Sequence, residues 1–199
     1  MPKAYTLTPK LKLVVDHLKA VRTLYEYVNG VGLKKDMQEL ANYLQEDLSR
    51  DVFRPAGWED LYMTDGSLWS SPKSSSSKSS GARSTWLVVK GDLIAVQIYP
   101  AWPVDDEEPF VDLYIPEDWK KRPQFLAKLK APQGFDHFNQ YSEGELEKSV
   151  SVIKFLPYTN YLGADGSFDC AGFLDGFRQA AKTLVGMEQG IEAILERLA

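Results

Sequence analysis

Residues 58–71 read WEDLYMTDGSLWSS, and this stretch decides the fold class. Here the spacing of large apolar residues changes from the three or four that is typical of helices to the two that is typical of strands. Asp65–Gly66 is a strong turn signal between the two halves. The stretch therefore predicts two short antiparallel strands joined by a hairpin turn.

Further stretches of the same kind extend the predicted sheet toward the C-terminus. They are STWLVVK (84–90), LIAVQIYP (93–100), PFVDLYIP (109–116) and KSVSVIKFLPY (148–158). In the third, Val111, Leu113 and Ile115 alternate with Phe110, Asp112 and Tyr114, so the two sets lie on opposite faces. No helical crossover separates these strands as far as residue 116, which favours an antiparallel β-meander of about five to six strands. Residues 134–145 are predicted to be a surface loop.

Helical patterns stand on both sides of this β region. Residues 8–54 predict a helical hairpin that begins at Thr8–Pro9 and turns at Asn29–Gly30, because apolar residues recur every three or four positions. Residues 169–198 predict a long C-terminal helix in which Asp169 caps the N-terminus. Glycines within this helix permit close packing or mark a bend.

These elements make one α+β domain over residues 1–199. The predicted sheet packs against the N-terminal helical hairpin and the C-terminal helix, with residues 58–157 mainly β and short helices at 117–130. The apolar stripe of the last helix runs almost to its end, so a homodimer through this helix is a further hypothesis.

The run SSPKSSSSKSSGARST at 70–85 interrupts the predicted strands. Its many serines have low β propensity, which favours a solvated surface loop. Two alternatives remain open at this level. Lys73, Lys78 and Arg83 form a candidate anion-binding loop for a phosphate or carboxylate. An engineered linker has the same composition.

Composition excludes several classes of function. The net charge of −5 and the sequence pI near 5.2 disfavour nucleic-acid binding. One cysteine and two histidines cannot form a disulfide or a Cys/His zinc framework. Nucleotide-binding glycine motifs are absent, so we expect neither a cofactor nor a metal. The N-terminus carries no secretory pattern and no apolar run could cross a bilayer, which predicts a soluble, cytoplasmic protein without a membrane partner.

The loop YPAWPVDDEEPF at 99–110 is the strongest candidate for a functional surface. Trp102 stands between Pro100 and Pro103, and an acidic run of Asp105, Asp106, Glu107 and Glu108 follows. A constrained tryptophan beside clustered carboxylates is typical of an interface for a basic protein. We therefore expect a non-catalytic interaction module of the inhibitor, immunity or adaptor type.

Two alternative classes stay open. Asp105, Asp118 and Lys120 imitate the carboxylate and lysine order of a metal-dependent nuclease, although Pro116 favours a helix start at 117–121 rather than the core strand such a site needs. His137, next to Asp136, is a weaker candidate for a general base. The other alternative is a small-molecule binding domain with an apolar pocket between sheet and helices.

Overall fold

The computed structural model of this chain describes residue 14 and residues 17–64, 67–72, 87–89, 92–101, 108–116, 118–142 and 145–198. The chain divides into two compact units, Met1–Leu40 and Ala41–Ala199. The predicted α+β class is confirmed: an antiparallel sheet is accompanied by an N-terminal pair of helices and by a long, bent C-terminal helix.

The N-terminal pair consists of α1 (Leu18–Asn29) and α2 (Val31–Leu48), which meet at Gly30 as predicted. The predicted start of the first helix at Thr8 lies outside the described residues. Within the first unit the Tyr27 hydroxyl donates a 2.5 Å hydrogen bond to Asp36. The apolar stripe of α1 is not buried in the described part of the chain, since Leu24 is 61% exposed.

In the second unit, α2 ends in a π-helical turn at Ser49–Phe53, after which the sheet begins. Its strands are β1 (Tyr62–Thr64), β2 (Ser67–Ser70), β3 (Leu87–Val89), β4 (Asp92–Leu93), β5 (Ala95–Tyr99), β6 (Phe110–Tyr114), β7 (Asp136–Ser142) and β8 (Glu145–Phe155). Among the described residues, six strands form one sheet in the order β1-β2-β5-β6-β8-β7, and every neighbouring pair is antiparallel.

Two sequence-based expectations about the sheet were wrong. Residues 136–142, predicted as part of a surface loop, form the edge strand β7 and pair with β8. Of the predicted strand at 84–90, the described residues form β3, which pairs with β4 in a separate two-stranded sheet rather than in the main sheet. An edge strand has one hydrogen-bonding edge that no other strand of the sheet covers, so it tolerates polar residues. The polar sequence of β7 therefore resembles that of a surface loop.

In the described part of the chain one short α-helix lies between β6 and β7, and two further α-helices follow β8. The short α3 (Arg122–Leu126) is the one helix in the described part of 117–130. The long C-terminal helix is divided at Gly186 into α4 (Cys170–Val185) and α5 (Glu188–Leu198). Asp169 caps α4 as predicted, since its carboxylate accepts a hydrogen bond from the amide of Gly172 at 2.9 Å.

One face of the sheet carries the core. In β6, Val111 and Leu113 are fully buried and Phe110 and Tyr114 are half-buried, but Asp112 is buried as well, so burial follows the predicted alternation only in part. Helix α4 contacts β5 and β6. It contributes buried side chains at the spacing of one helical face: Phe173, Phe177, Ala180, Ala181 and Leu184. Among the described residues, no helix combines the length and the apolar character that a membrane span requires.

Candidate functional site

The connection between β5 and β6 carries the predicted partner-binding residues, and the structure describes both of its ends. Trp102, Asp105, Asp106 and Glu107 lie outside the described residues. Glu108, the last carboxylate of the acidic run, is exposed, and Pro109 beside it is buried. The connection therefore leaves and re-enters the sheet at defined, buried positions.

The two strands are held together up to the start of this loop. Tyr99 and Phe110 form the last pair of the β5–β6 register, and their ring centroids are 5.2 Å apart. Phe110 also contacts Phe155 of β8, at 6.3 Å between centroids. Aromatic pairs of this geometry add to the stability of a strand pair, so the stem of the loop is firmly closed.

Ala101 has an uncommon backbone conformation at the first end of the loop. Its φ is +46°, and among the residues that the structure describes no other non-glycine residue has a positive φ. The left-handed region costs an L-residue about 1–2 kcal/mol, so surrounding contacts must compensate. Ala101 is buried, so the contacts that surround it are in a position to hold this conformation.

Tyr158 supplies the compensating contacts. Its hydroxyl lies 3.0 Å from the carbonyl oxygen of Pro100 and 3.3 Å from that of Ala101, and it donates to this pair. Burial raises the pKa of Tyr158 to about 12, so the hydroxyl keeps its proton at neutral pH. At the other end of the loop, the amide of Leu156 donates to the carbonyl oxygen of Pro109 at 2.7 Å. One short segment after β8 thus fixes both ends.

All charged side chains in the sequence around this loop are negative. Residues 100–119 contain no lysine, arginine or histidine, whereas the loop carries four consecutive carboxylates. Clustered carboxylates make the local electrostatic potential more negative and attract a positively charged partner over about a Debye length, roughly 8 Å at physiological salt.

A second acidic segment begins at Tyr158 itself. The Tyr158 ring stacks on Phe173 of α4 at 4.9 Å between centroids and contacts Phe168 at 5.9 Å. Phe168 pairs with Leu162 in an isolated antiparallel bridge, which closes a small hairpin over residues 162–168. Residues 158–177 contain three aspartates and no lysine or arginine.

The tip of this hairpin is fixed by its own hydrogen bonds. The Asp165 carboxylate accepts from the hydroxyl of Ser167 at 2.6 Å and from its amide at 3.0 Å. These bonds hold the pKa of Asp165 below its usual value, so the group is ionised at neutral pH. The amide of Gly163 donates to the carbonyl oxygen of Ser167 at 2.7 Å.

The part of the chain that the structure describes does not bring the other predicted site residues together. Asp118 and Lys120 are exposed and lie in the turn before α3, while Asp105 is not described. His137 lies on the edge strand β7 opposite Val152 in the register. The candidate anion loop of Lys73, Lys78 and Arg83 falls outside the described residues. Within the described part of the chain, no three His, Cys, Asp or Glu residues are grouped as metal ligands would be.

Sequence reasoning missed the residues that fix the loop. Tyr158 was assigned to the end of the last predicted strand, and no sequence pattern marks its hydroxyl as the partner of carbonyl groups 58 and 57 positions earlier. Ala101 gave no signal, because positive φ is ordinarily predicted from glycine or asparagine. Leu162 and Phe168 were also overlooked, since isolated apolar residues in a turn-rich segment are common.

Comparison of the chain with protein-family models, with curated proteins and with solved structures finds no match in any of the three. The function of this chain is therefore inferred from its own residues.

Proposed function

We propose that this chain is a non-catalytic protein-interaction module, and that it binds a basic partner through the loop between β5 and β6. The observation that supports this proposal most strongly is the fixed base of the loop: Ala101 adopts a left-handed conformation and Tyr158 donates to the carbonyl groups beside it. Strained backbone persists where the surrounding structure enforces it, and such positions cluster at binding sites.

The fixed base reduces the cost of binding. A loop whose ends are already ordered loses less conformational entropy when a partner docks, so more of the contact energy appears as affinity. Trp102 then serves as the anchor that a partner buries, and Asp105, Asp106, Glu107 and Glu108 attract its basic residues. We further propose a cytoplasmic location, in line with the single cysteine of the sequence.

The proposal is tested with a charge-neutralised loop variant. It carries Asp105→Asn, Asp106→Asn, Glu107→Gln and Glu108→Gln, which preserve size while removing charge. A matched control neutralises four exposed carboxylates elsewhere, Glu26, Glu39, Glu46 and Glu196, each by substitution with Gln. Both variants therefore have the same net charge.

Wild type and both variants are immobilised, and captured proteins from a cell lysate are identified by mass spectrometry. We expect at least one basic protein that the wild type and the control retain and the loop variant loses. This protein is then purified and titrated against all three chains. Equal retention by all three chains would exclude the loop as the binding surface.

A further inference from the structure

The small hairpin at 162–168 exposes two large apolar residues. They lie beside Pro100 and Ala101, the base of the β5–β6 loop, which is called the acidic loop below. Leu162 is 51% exposed and Phe168 is 41% exposed, although both belong to the second unit, which has a well-formed core. They are paired across the bridge that closes the hairpin, so their positions relative to each other are fixed. Scattered exposed apolar residues need no explanation, but a fixed adjacent pair beside a proposed binding loop does.

Tyr158 connects this hairpin physically to the acidic loop. Its ring contacts Phe168, and its hydroxyl donates to the carbonyl groups of Pro100 and Ala101. The two segments are more than fifty positions apart in the sequence, yet a single side chain touches both. The hairpin and the base of the loop therefore belong to one region of the surface.

The charges of the hairpin have the same sign as those of the loop. Asp165 lies at the hairpin tip and Asp169 follows Phe168 directly. Burial, and after it the charges of Asp169 and Asp175, raise the pKa of Tyr161. Asp175 is paired with Arg178 at 3.2 Å, whereas Asp165 and Asp169 accept hydrogen bonds from Ser167 and Gly172 and form no ion pair among the described residues.

We infer that Leu162 and Phe168 are the apolar centre of the partner-binding surface, and that the partner presents a basic segment carrying at least one large apolar side chain. This inference rests on the proposed function of the acidic loop. An apolar centre with a charged rim is the usual arrangement of a protein interface. The hairpin supplies apolar contact that selects among basic partners, while the carboxylates supply attraction and a fast encounter.

Two synthetic peptides of equal length and equal net positive charge test this assignment. One contains lysine, serine and glycine; in the other, several serines are replaced by leucine. Both are titrated by fluorescence anisotropy into the full chain, into Leu162→Gln and into the neutralised loop variant. Leu24→Gln is the matched control, because Leu24 is an exposed leucine on α1.

We expect the wild type to bind the leucine-containing peptide at least about tenfold more tightly, the scale set by burying one aliphatic side chain. Leu162→Gln reduces this preference to about threefold or less and leaves the affinity for the polar peptide unchanged, whereas Leu24→Gln alters neither. The neutralised loop variant weakens binding of both peptides.

The inference and the proposed function fail in different ways. If Leu162→Gln retains the full preference, or if Leu24→Gln abolishes it, the apolar contact is not made at the hairpin and the inference is overturned. If the neutralised loop variant binds both peptides like the wild type, the proposed function fails instead. Asp165→Asn gives a second check, since Asn keeps the oxygen that orders the tip. This substitution should weaken the binding of both peptides slightly and to the same degree.

Discussion

The hydroxyl of Tyr158 lies 3.3 Å from the carbonyl oxygen of Ala101, the residue that turns the chain into the β5–β6 loop with a φ of +46°. The same hydroxyl lies 3.0 Å from the carbonyl oxygen of Pro100. The strained residue and its support thus come from segments 57 positions apart in the sequence. The following predictions depend on this contact and on the polar contacts around it.

Replacing Ala101 by glycine should change stability little. In an ordinary strand conformation, this change costs about 1–2 kcal/mol through lost apolar contact and added freedom of the unfolded chain. At Ala101, relief of the left-handed conformation offsets most of that cost, so we expect the free energy of unfolding to stay within about 1 kcal/mol of wild type. Chemical denaturation measures it.

Ala95→Gly is the matched control, because Ala95 is also buried and begins β5, the strand that precedes Ala101, without a positive φ. It should lose about 1–2 kcal/mol. Equal losses at the two positions would show that Ala101 is not strained.

Removing the hydroxyl of Tyr158 should destabilise the protein at neutral pH. Tyr158→Phe keeps the ring that stacks on Phe173 and removes the donor to Pro100 and Ala101. We expect a loss of about 1 kcal/mol, the usual net value of a hydrogen bond. Tyr62→Phe, at an exposed tyrosine, is the control and should be neutral.

The effect of Tyr158 should depend on pH at the alkaline end. Its pKa is raised by burial from an ordinary value near 10 to about 12, so the unfolded chain loses this proton first as pH rises. The stabilisation is complete below pH 10 and is lost progressively between pH 10 and pH 12. The unfolding free energies of wild type and Tyr158→Phe should therefore converge over that interval. A difference that stays constant from pH 8 to pH 12 would refute the assignment.

The cap of α4 should be measurable by a pair of substitutions at Asp169. Asp169→Ala removes the acceptor for the Gly172 amide and should cost about 1 kcal/mol of unfolding free energy. Asp169→Asn keeps an oxygen at the cap and should preserve most of the stability. If the two variants are equally destabilised, the charge rather than the cap contact is responsible.

A buried carboxylate joins α2 to α4. Asp47 accepts 2.7 Å hydrogen bonds from both Arg50 and Arg178, and its own side chain is 8% exposed. Asp47→Ala leaves Arg178 without this partner and should cost about 2 kcal/mol. Asp51→Ala, which breaks only an exposed pair with Arg50, should have little measurable effect on the denaturation midpoint. Comparable losses in the two variants would mean that burial of Asp47 adds nothing.

The sequence was sufficient for elements whose signals are local. The hairpin at Asp65–Gly66 and the cap at Asp169 depend on residues close together in the chain. The first is seen in the pairing of the flanking strands and the second in a hydrogen bond. Local patterns are informative because turn chemistry and period are set by neighbouring residues.

Elements that depend on contacts between distant parts of the chain could not be predicted from local sequence patterns. Strand β7 depends on pairing with β8, and polar residues are acceptable at a sheet edge. The diversion of β3 into its own small sheet leaves β2 as the neighbour of β5. The hydrogen bonds from Tyr158 to the carbonyl groups at Ala101 are likewise a tertiary contact, and no sequence pattern predicts them.

The affinity of the purified partner for three chains, measured from about 50 to about 500 mM NaCl, tests the role of the acidic loop most directly. The chains are the wild type, the neutralised loop variant and the control in which Glu26, Glu39, Glu46 and Glu196 are neutralised. We predict that loss of charge in the loop raises the dissociation constant by at least about tenfold and flattens its salt dependence, while the control behaves like the wild type. Three superimposable curves would contradict the account.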